Sequence, residues 1–387
     1  MGGGVLQLVA FGAQDLYLTG NPQITYFKSV HRRHTNFTME SIKQGAIGDA
    51  YISDIENLAQ FIISRSGDLI HKMYIKVDRN RTGETATVNN PGASMIKEVS
   101  IEIGGQLIDR HFGEWLEIFA ELTEYNPSGH IADSNSPGTL FQKMSNMGGY
   151  QPNNNSNETI FVPLQFWFNR NPGLALPLIA LQYHEVKIIL KLEKIENCEI
   201  IDSGGYQNIE LWVDYIFLDT DERRRFTDIS HEYLIEQLQV NKISHSNQTL
   251  NFNHPVKEII WVGDSTENNP TKFSDPKGSF WNIVLNGQDR FEKRPLKYFT
   301  RTQIWQHHTG YGGIGDNIDK IAVYSFALEP ELHQPSGTCN FSRIDNAELK
   351  SYTSDGNNDP CADCTVYAIN YNVLRIMSGM GGLAYSN

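Results

Sequence analysis

Residues 99–116 read VSIEIGGQLIDRHFGEWL, and residues 282–299 read NIVLNGQDRFEKRPLKYF. Both run strand, then Gly-Gln, then Asp-Arg, then an aromatic-bearing segment. A looser pair follows in the same order. FWFNRNPGLALPLIALQYHEVKIIL at 166–190 echoes YSFALEPELHQPSGTCNFSRIDNAEL at 324–349, with Pro172 and Pro177 opposite Pro330 and Pro335. The copies lie about 160–180 residues apart, too far for a solenoid repeat. That spacing suits two tandem copies of one β-sandwich, joined near LDTDERRRF at 218–226.

The rest of the chain agrees. Val99, Ile101 and Ile103 alternate with polar residues, as do Val186, Ile188, Leu190 and Leu192. Ile209, Leu211, Val213, Tyr215 and Phe217 make one face of IELWVDYIFL, and Tyr367, Ile369, Tyr371 and Val373 make another. Period two is the signature of a strand with one buried face. Gly, Pro and Asn clusters punctuate these runs. Helical spacing is scarce. RHFGEWLEIFAELTE puts Phe112, Trp115, Leu116, Phe119 and Leu122 on one face, with four glutamates elsewhere; SHEYLIEQLQ at 230–239 is a weaker candidate. The expectation is an all-β chain with a few short helices and no βαβ rhythm.

Composition limits the function. The 387 residues are 40% hydrophobic, ample for a core. A net charge of −13 argues against a general nucleic-acid binder, which needs clustered Lys and Arg. Four cysteines (Cys198, Cys339, Cys361, Cys364) are too few for a disulfide scaffold and fit a reducing compartment. No apolar run is long enough to span a bilayer. The start, MGGGVLQLVAFGAQD, has no basic n-region and no myristoylation pattern.

Candidate sites are few. Lys28, His31, Arg32, Arg33 and His34 crowd NPQITYFKSVHRRHTNFT at 21–38. His31 and His34 would converge on a metal only from a helix, and their neighbours Ile24, Tyr26, Thr35 and Phe37 look like strand. The cluster reads as a solvated or intersubunit basic face whose arginines meet a neighbour's carboxylates. DPCADC at 359–364 is half a zinc site without its partner pair, and is expected to be a reduced loop pair. QYHEV and HEYL each lack the second histidine of a zinc-protease helix. Nucleophile elbow, Walker loop and dinucleotide fingerprint are missing. Among the sequons, Asn154 and Asn157 are the best candidates for exposed glycosylation sites. No catalytic, metal or cofactor residues are assigned.

The opening stretch GGGVLQLVAFGAQDLYLTGNPQITYFKSVHRRHTNF resembles the start of the major capsid protein of large icosahedral nucleocytoplasmic DNA viruses, most of all the algal-virus (phycodnavirus) type. FVPLQFWFNRNPGLALPLIALQYHEVK, LWVDYIFLDTDERRRF, LNFNHPVKEIIW, QPSGTCNFSRIDNAEL and YNVLRIMSGMGGLAYSN extend the likeness to the C-terminus. The resemblance implies a double jelly roll: an arm at 1–25, a first jelly roll at 26–219 and a second at 220–387. It implies a structural, non-enzymatic late protein, a homotrimer forming pseudo-hexagonal capsomers of an icosahedral virion shell assembled in the host cytoplasm. The implied partners are neighbouring capsomers, minor capsid and penton proteins, and the inner viral membrane, with no specific nucleic-acid binding. It turns Lys28 to His34 into an intersubunit or inner-surface patch. The compact stretches after EIIWV and AELKSY imply shorter outer towers. Two alternatives stand beside it: a low-copy paralogous capsid protein of the same fold, and a carbohydrate-binding β-sandwich using Trp261, Trp281 or Trp305.

Overall fold

The computed structural model describes residues 3–79, 91–124, 158–194, 206–244, 248–263, 274–310, 312, 319–354 and 363–385. It divides into two compact units, Met1–Asn36 and Phe37–Asn387. The first holds two short helices, α1 (Gly3–Val9) and α2 (Leu16–Thr19), neither with a buried side chain. The Asp15 carboxylate accepts from the Gly12 amide at 2.7 Å, holding the turn between them.

The second unit begins with ten strands among the described residues: β1 (Phe37–Gln44), β2 (Ala46–Gly48), β3 (Leu58–Ile62), β4 (Leu69–Arg79), β5 (Ile96–Ile103), β6 (Gln106–His111), β7 (Glu158–Pro163), β8 (Leu176–Pro177), β9 (Val186–Leu192) and β10 (Tyr206–Leu218). Helix α3 (Pro91–Ser94) precedes β5, α4 (Gly113–Thr123) follows β6, and α5 (Trp167–Arg170) follows β7. The strands form two antiparallel sheets. Sheet I runs β1-β10-β4-β7, with β8 on β4; sheet II runs β2-β3-β9-β5-β6.

After α6 (Thr220–Asp228) the plan repeats with β11 (His231–Ile243), β12 (Pro255–Gly263), β13 (Phe280–Leu285), β14 (Gln288–Asp289), β15 (Arg294–Pro295), β16 (Ile321–Ser325), β17 (Cys339–Asn340), β18 (Ala347–Tyr352), β19 (Cys364–Met377) and β20 (Met380–Leu383). Sheet III runs β11-β19-β12-β16; sheet IV sets β14, β15 and β18 around β13. A π-helical turn at Tyr298–Thr302 leads into α7 (Gln303–His307). Sheet III copies the order of sheet I: the opening strand, the last long strand, an early long strand, then the strand after the helical segment. This is a double jelly roll, two antiparallel sandwiches in tandem.

The sequence echo marks equivalent hairpins, β5–β6 and β13–β14. Each closes on a two-residue turn with both residues at positive φ: Gly104 (59°) and Gly105 (81°), Asn286 (50°) and Gly287 (78°). That is the primed turn whose twist suits a hairpin. Val186–Leu192 alternates buried and half-buried, as its period predicts.

Two expectations change, and the join gains a helix. Residues 231–239 are strand, because a continuous ladder from His231 to Ile243 against β19 outweighs a weak helical spacing. The join at 218–226 contains α6, whose N-cap Asp219 accepts from the Thr220 amide at 2.7 Å. Helix α4 has no free polar face: Glu117 and Glu121 are buried along with Trp115 and Leu122.

Each sandwich has its own core, but the first is completed by the second. Ile235, Leu374 and Ile376, from β11 and β19, lie among the first sandwich's apolar side chains.

Candidate functional site: the seam and the uncovered faces

The basic cluster lies in the first unit. Lys28, His31, Arg32, Arg33 and His34 sit in irregular chain rather than helix or strand. The expectation of strand there is therefore not met before Phe37. The His34 ring nitrogen Nδ1 bonds the Thr35 carbonyl at 2.7 Å. Among the described residues no group of three His, Cys, Asp or Glu side chains comes together as a metal site would need. Asn154, Asn157 and Cys361 lie outside the described residues. Cys364 is disulfide-bonded, so the expected reduced state does not hold for it, whereas Cys339 is free.

The most developed polar assembly joins the two sandwiches. Strand β6 ends sheet II and runs beside β11, which begins sheet III. The Gln237 side-chain amide donates to the Ile108 carbonyl, and the Leu238 amide donates to Asp109 Oδ1 at 3.0 Å. Asp109 is itself paired to buried His111 (Nε2 to Oδ2, 3.0 Å), whose ring stacks on Phe166. From β6 the chain turns directly into α4. Trp115, Ile118 and Leu122 then pack on Leu238, Ile260, Val262, Ile321, Val323, Tyr367 and Ile369. These are the outward positions of sheet III, since their neighbours Ile259, Trp261, Val366 and Ala368 line the second core. The amides of Gly310 and Gly312 donate to the Leu122 and Glu121 carbonyls (2.7 and 2.9 Å), pinning the end of α4 to the chain after α7.

Behind this apolar contact lies a buried charge network. β12 reads PVKEIIWVG, and its pairing with β19 slips between Val256 and Glu258. Such a bulge disturbs strict alternation, and Lys257 and Glu258 are both buried. Lys257 Nζ meets Glu236 Oε1 at 2.7 Å and donates to the Pro330 carbonyl. Arg170 Nη1, from the first sandwich, meets Glu236 Oε2 at 2.9 Å. His308 lies between two carboxylates: Nε2 is 3.1 Å from Glu258 Oε2, and Nδ1 is 3.1 Å from Glu331 Oε1. Burial pulls the imidazolium pKa down, but the two carboxylates outweigh it and raise it to about 9. Burial pushes the Glu236 pKa up, and Arg170 and Lys257 overcome it, leaving it below the usual carboxylate range. With His308 protonated, three cations balance three carboxylates.

A cavity of about 610 Å³ opens beside the network, with Trp115, Phe119, Ile260 and Ile369 on one side and Tyr74 and Asp214 among its walls. The arrangement suits structural cohesion, since its charges are spent on one another. Sequence reasoning missed Arg170, Glu236, Lys257, His308 and Glu331. They come from separate stretches with no motif spacing; the one local hint was Lys-Glu inside the apolar run of β12.

Two faces are left uncovered. The outward positions of sheet I carry Met39, Lys43, Trp212, Tyr74 and Phe161, exposed or half-buried, with Tyr74 stacked on Trp212 at 6.4 Å. On the second sandwich Trp305 is 81% exposed, with Leu328 and Leu332 also bare. Trp261 and Trp281, by contrast, are fully buried core residues, which removes two of the three tryptophans of the carbohydrate-binding alternative.

Comparison with known proteins gives a consistent picture. A family model described as major capsid protein N-terminus matches residues 25–219, and one described as large eukaryotic DNA virus major capsid protein matches residues 222–382. The chain is 47% identical to the major capsid protein of Pyramimonas orientalis virus and 39% identical to that of Paramecium bursaria Chlorella virus 1, over the whole of both chains in each case. Among solved structures, the PBCV-1 virus capsid quasi-atomic model is similar at 35% identity and a TM-score of 0.78, covering 94% of this chain and 100% of that one. The Faustovirus major capsid protein, at 14% identity and a TM-score of 0.65 over 95% of this chain and 94% of that one, shares the fold.

Proposed function

The chain belongs to the family of large eukaryotic DNA virus major capsid proteins, and from that premise we propose how it is used in the shell. It is a structural capsid protein, and its place is the virion. Three copies associate into a capsomer of six sandwiches that tiles an icosahedral shell assembled in the host cytoplasm. Neighbouring capsomers, minor capsid and penton proteins are its partners, and it carries out no catalysis. The observation that supports this reading best is the seam. Apolar packing and a self-neutral charge network tie both sandwiches into one block, as a tile requires. The proposed division of the chain is an arm at 1–25, a first jelly roll to 219 and a second from 220.

The role of the first unit, residues 1–36, follows from charge. Residues 1–36 hold Lys28, Arg32 and Arg33 against Asp15, a net +2, leaving −15 on the rest of a chain whose total is −13. A basic segment at 26–36 on an acidic shell protein seeks carboxylates of a neighbouring subunit or an anionic inner surface of the particle. Lys28, His31, Arg32, Arg33 and His34 are the residues that make this contact. Light scattering after size exclusion tests the main claim. A species of about three chains that survives dilution is expected; a monomer at every concentration would overturn it and favour the low-copy paralogue.

A further inference from the structure

We propose that the cavity at the seam is a binding site for a neutral, ring-bearing small molecule with one N–H or O–H group, and that its occupant fastens the two sandwiches together. All of its walls belong to one chain, so the site does not depend on how copies associate.

At about 610 Å³ the cavity lies in the size range of small-molecule sites, far above the voids of a close-packed interior. Both sandwiches build it. Tyr74 and Arg170 come from the first, Ile260 and Ile369 from the second, and α4 adds Trp115 and Phe119. The backbone is shaped around it twice. The β4–β10 ladder slips between Val213 and Tyr215, and the β12–β19 ladder slips between Val256 and Glu258. By sheet order these are the same ladder in the two sandwiches. Each slip admits an extra residue into the earlier strand, β4 or β12, and such bulges re-aim side chains beside functional sites. Lys72 and Asp214, on the two strands of the first slip, line the cavity, as does Lys257 in the second.

The two bulges differ in what their lysines meet. Lys257 is spent on Glu236 and the Pro330 carbonyl. Lys72 has no ion pair or hydrogen-bond partner among the described residues, and neither has Asp214. Every other charged group in the walls is paired. The unspent groups are therefore one cation and one anion. They cancel in charge, so an occupant with a net charge would enter an apolar cavity without a counter-ion of its own. A neutral N–H or O–H can donate to the Asp214 carboxylate, and the ammonium of Lys72 can sit over a ring. The rest of the wall selects the body. The Trp115 and Phe119 rings lie 6.1 Å apart at 52°, and the Arg170 guanidinium stands 5.4 Å from the Phe119 centroid. Aromatic surfaces set at an angle reward a further ring more than a flexible chain.

The test titrates two fluorescent probes into the purified full chain: N-phenylnaphthylamine, which is neutral with one N–H, and its sulfonated analogue anilinonaphthalene sulfonate. Saturable binding of one N-phenylnaphthylamine per chain is expected. The melting temperature should climb with probe concentration, since the bound molecule bridges both sandwiches. The sulfonate is expected to bind on the order of 10-fold more weakly. Gln165→Trp, which adds bulk to a lining residue, should abolish binding. Asp214→Ala should weaken it on the order of 10-fold by removing the acceptor, and it decides the matter should Gln165→Trp fail to fold. No saturable binding of the neutral probe, tighter binding of the sulfonate, or equal binding by wild type and Asp214→Ala would each overturn the site. None of these outcomes bears on the mass of the assembled species, so the capsomer reading is tested separately.

Discussion

His308 has a carboxylate against each ring nitrogen, and a neutral imidazole can donate to only one of them. The other would face a lone pair across 3.1 Å in a buried site. The network therefore holds its proton in the folded state, with a pKa of about 9 against about 6.5 in the unfolded chain. A raised folded-state pKa stabilises fully below about pH 6.5, and that contribution drains away as pH rises through about 9. The charged groups around it are Glu258 and Glu331 directly, with Lys257, Glu236 and Arg170 beyond. Melting temperature is expected to fall between about pH 7 and 10, and His308→Gln to lower stability at about pH 6 by on the order of 3 kcal/mol while flattening that slope. A wild-type profile without an alkaline decline would refute the assignment. Glu236→Gln is expected to cost about 3–5 kcal/mol in denaturant titrations, because it strands Lys257 and Arg170 without their shared carboxylate.

At the scale of elements, α4 and the two hairpins carry the fold. Trp115→Ala is expected to cost about 3–5 kcal/mol and to split the calorimetric transition in two, since the side chain belongs to the seam rather than to either core. In the first hairpin turn both glycines have positive φ, but a Cβ on Gly104 would crowd the His184 ring, whereas one on Gly105 meets nothing within 4 Å. Gly104→Ala is thus expected to lower the melting temperature more than Gly105→Ala, which carries only the left-handed backbone strain of about 1–2 kcal/mol. These elements were legible unequally. Period-two alternation announced β9 and β10, and the Gly-Gln repeat announced that the segments folding into β5–β6 and β13–β14 are equivalent; their hairpin form was not read, although the turn chemistry there is local. β11 was not legible as a strand, since its identity depends on the distant β19. The burial of Glu117 and Glu121 was equally hidden, because nothing in α4 tells that a second sandwich lies over it. The charge network was invisible for the same reason: its members meet only after folding.

At the scale of the whole molecule, the chain pairs a cohesive tile with a segment built for contact. Twelve large apolar side chains between Val5 and Val30 are exposed in the first unit. Together with the net positive charge of residues 1–36, they are the groups that the proposed contact would use. Replacing Lys28, Arg32 and Arg33 together by alanine is expected to leave the solution mass unchanged and to lower incorporation into particles, read as the ratio of variant to wild-type protein in purified virions. Equal incorporation would remove the basic cluster from assembly.

The way β11 and β19 complete the first core also orders events at the ribosome. Leu374 and Ile376 lie on β19 of the second sandwich, far along the chain from the first, yet they pack among side chains of the first sandwich. The first half emerges long before these side chains do, so the nascent chain carries an unfinished apolar surface until β19 has been made. A ribosome stalled anywhere before β19 would display a sticky, chaperone-dependent intermediate, and quality control of this protein is in effect a check that β19 has been made.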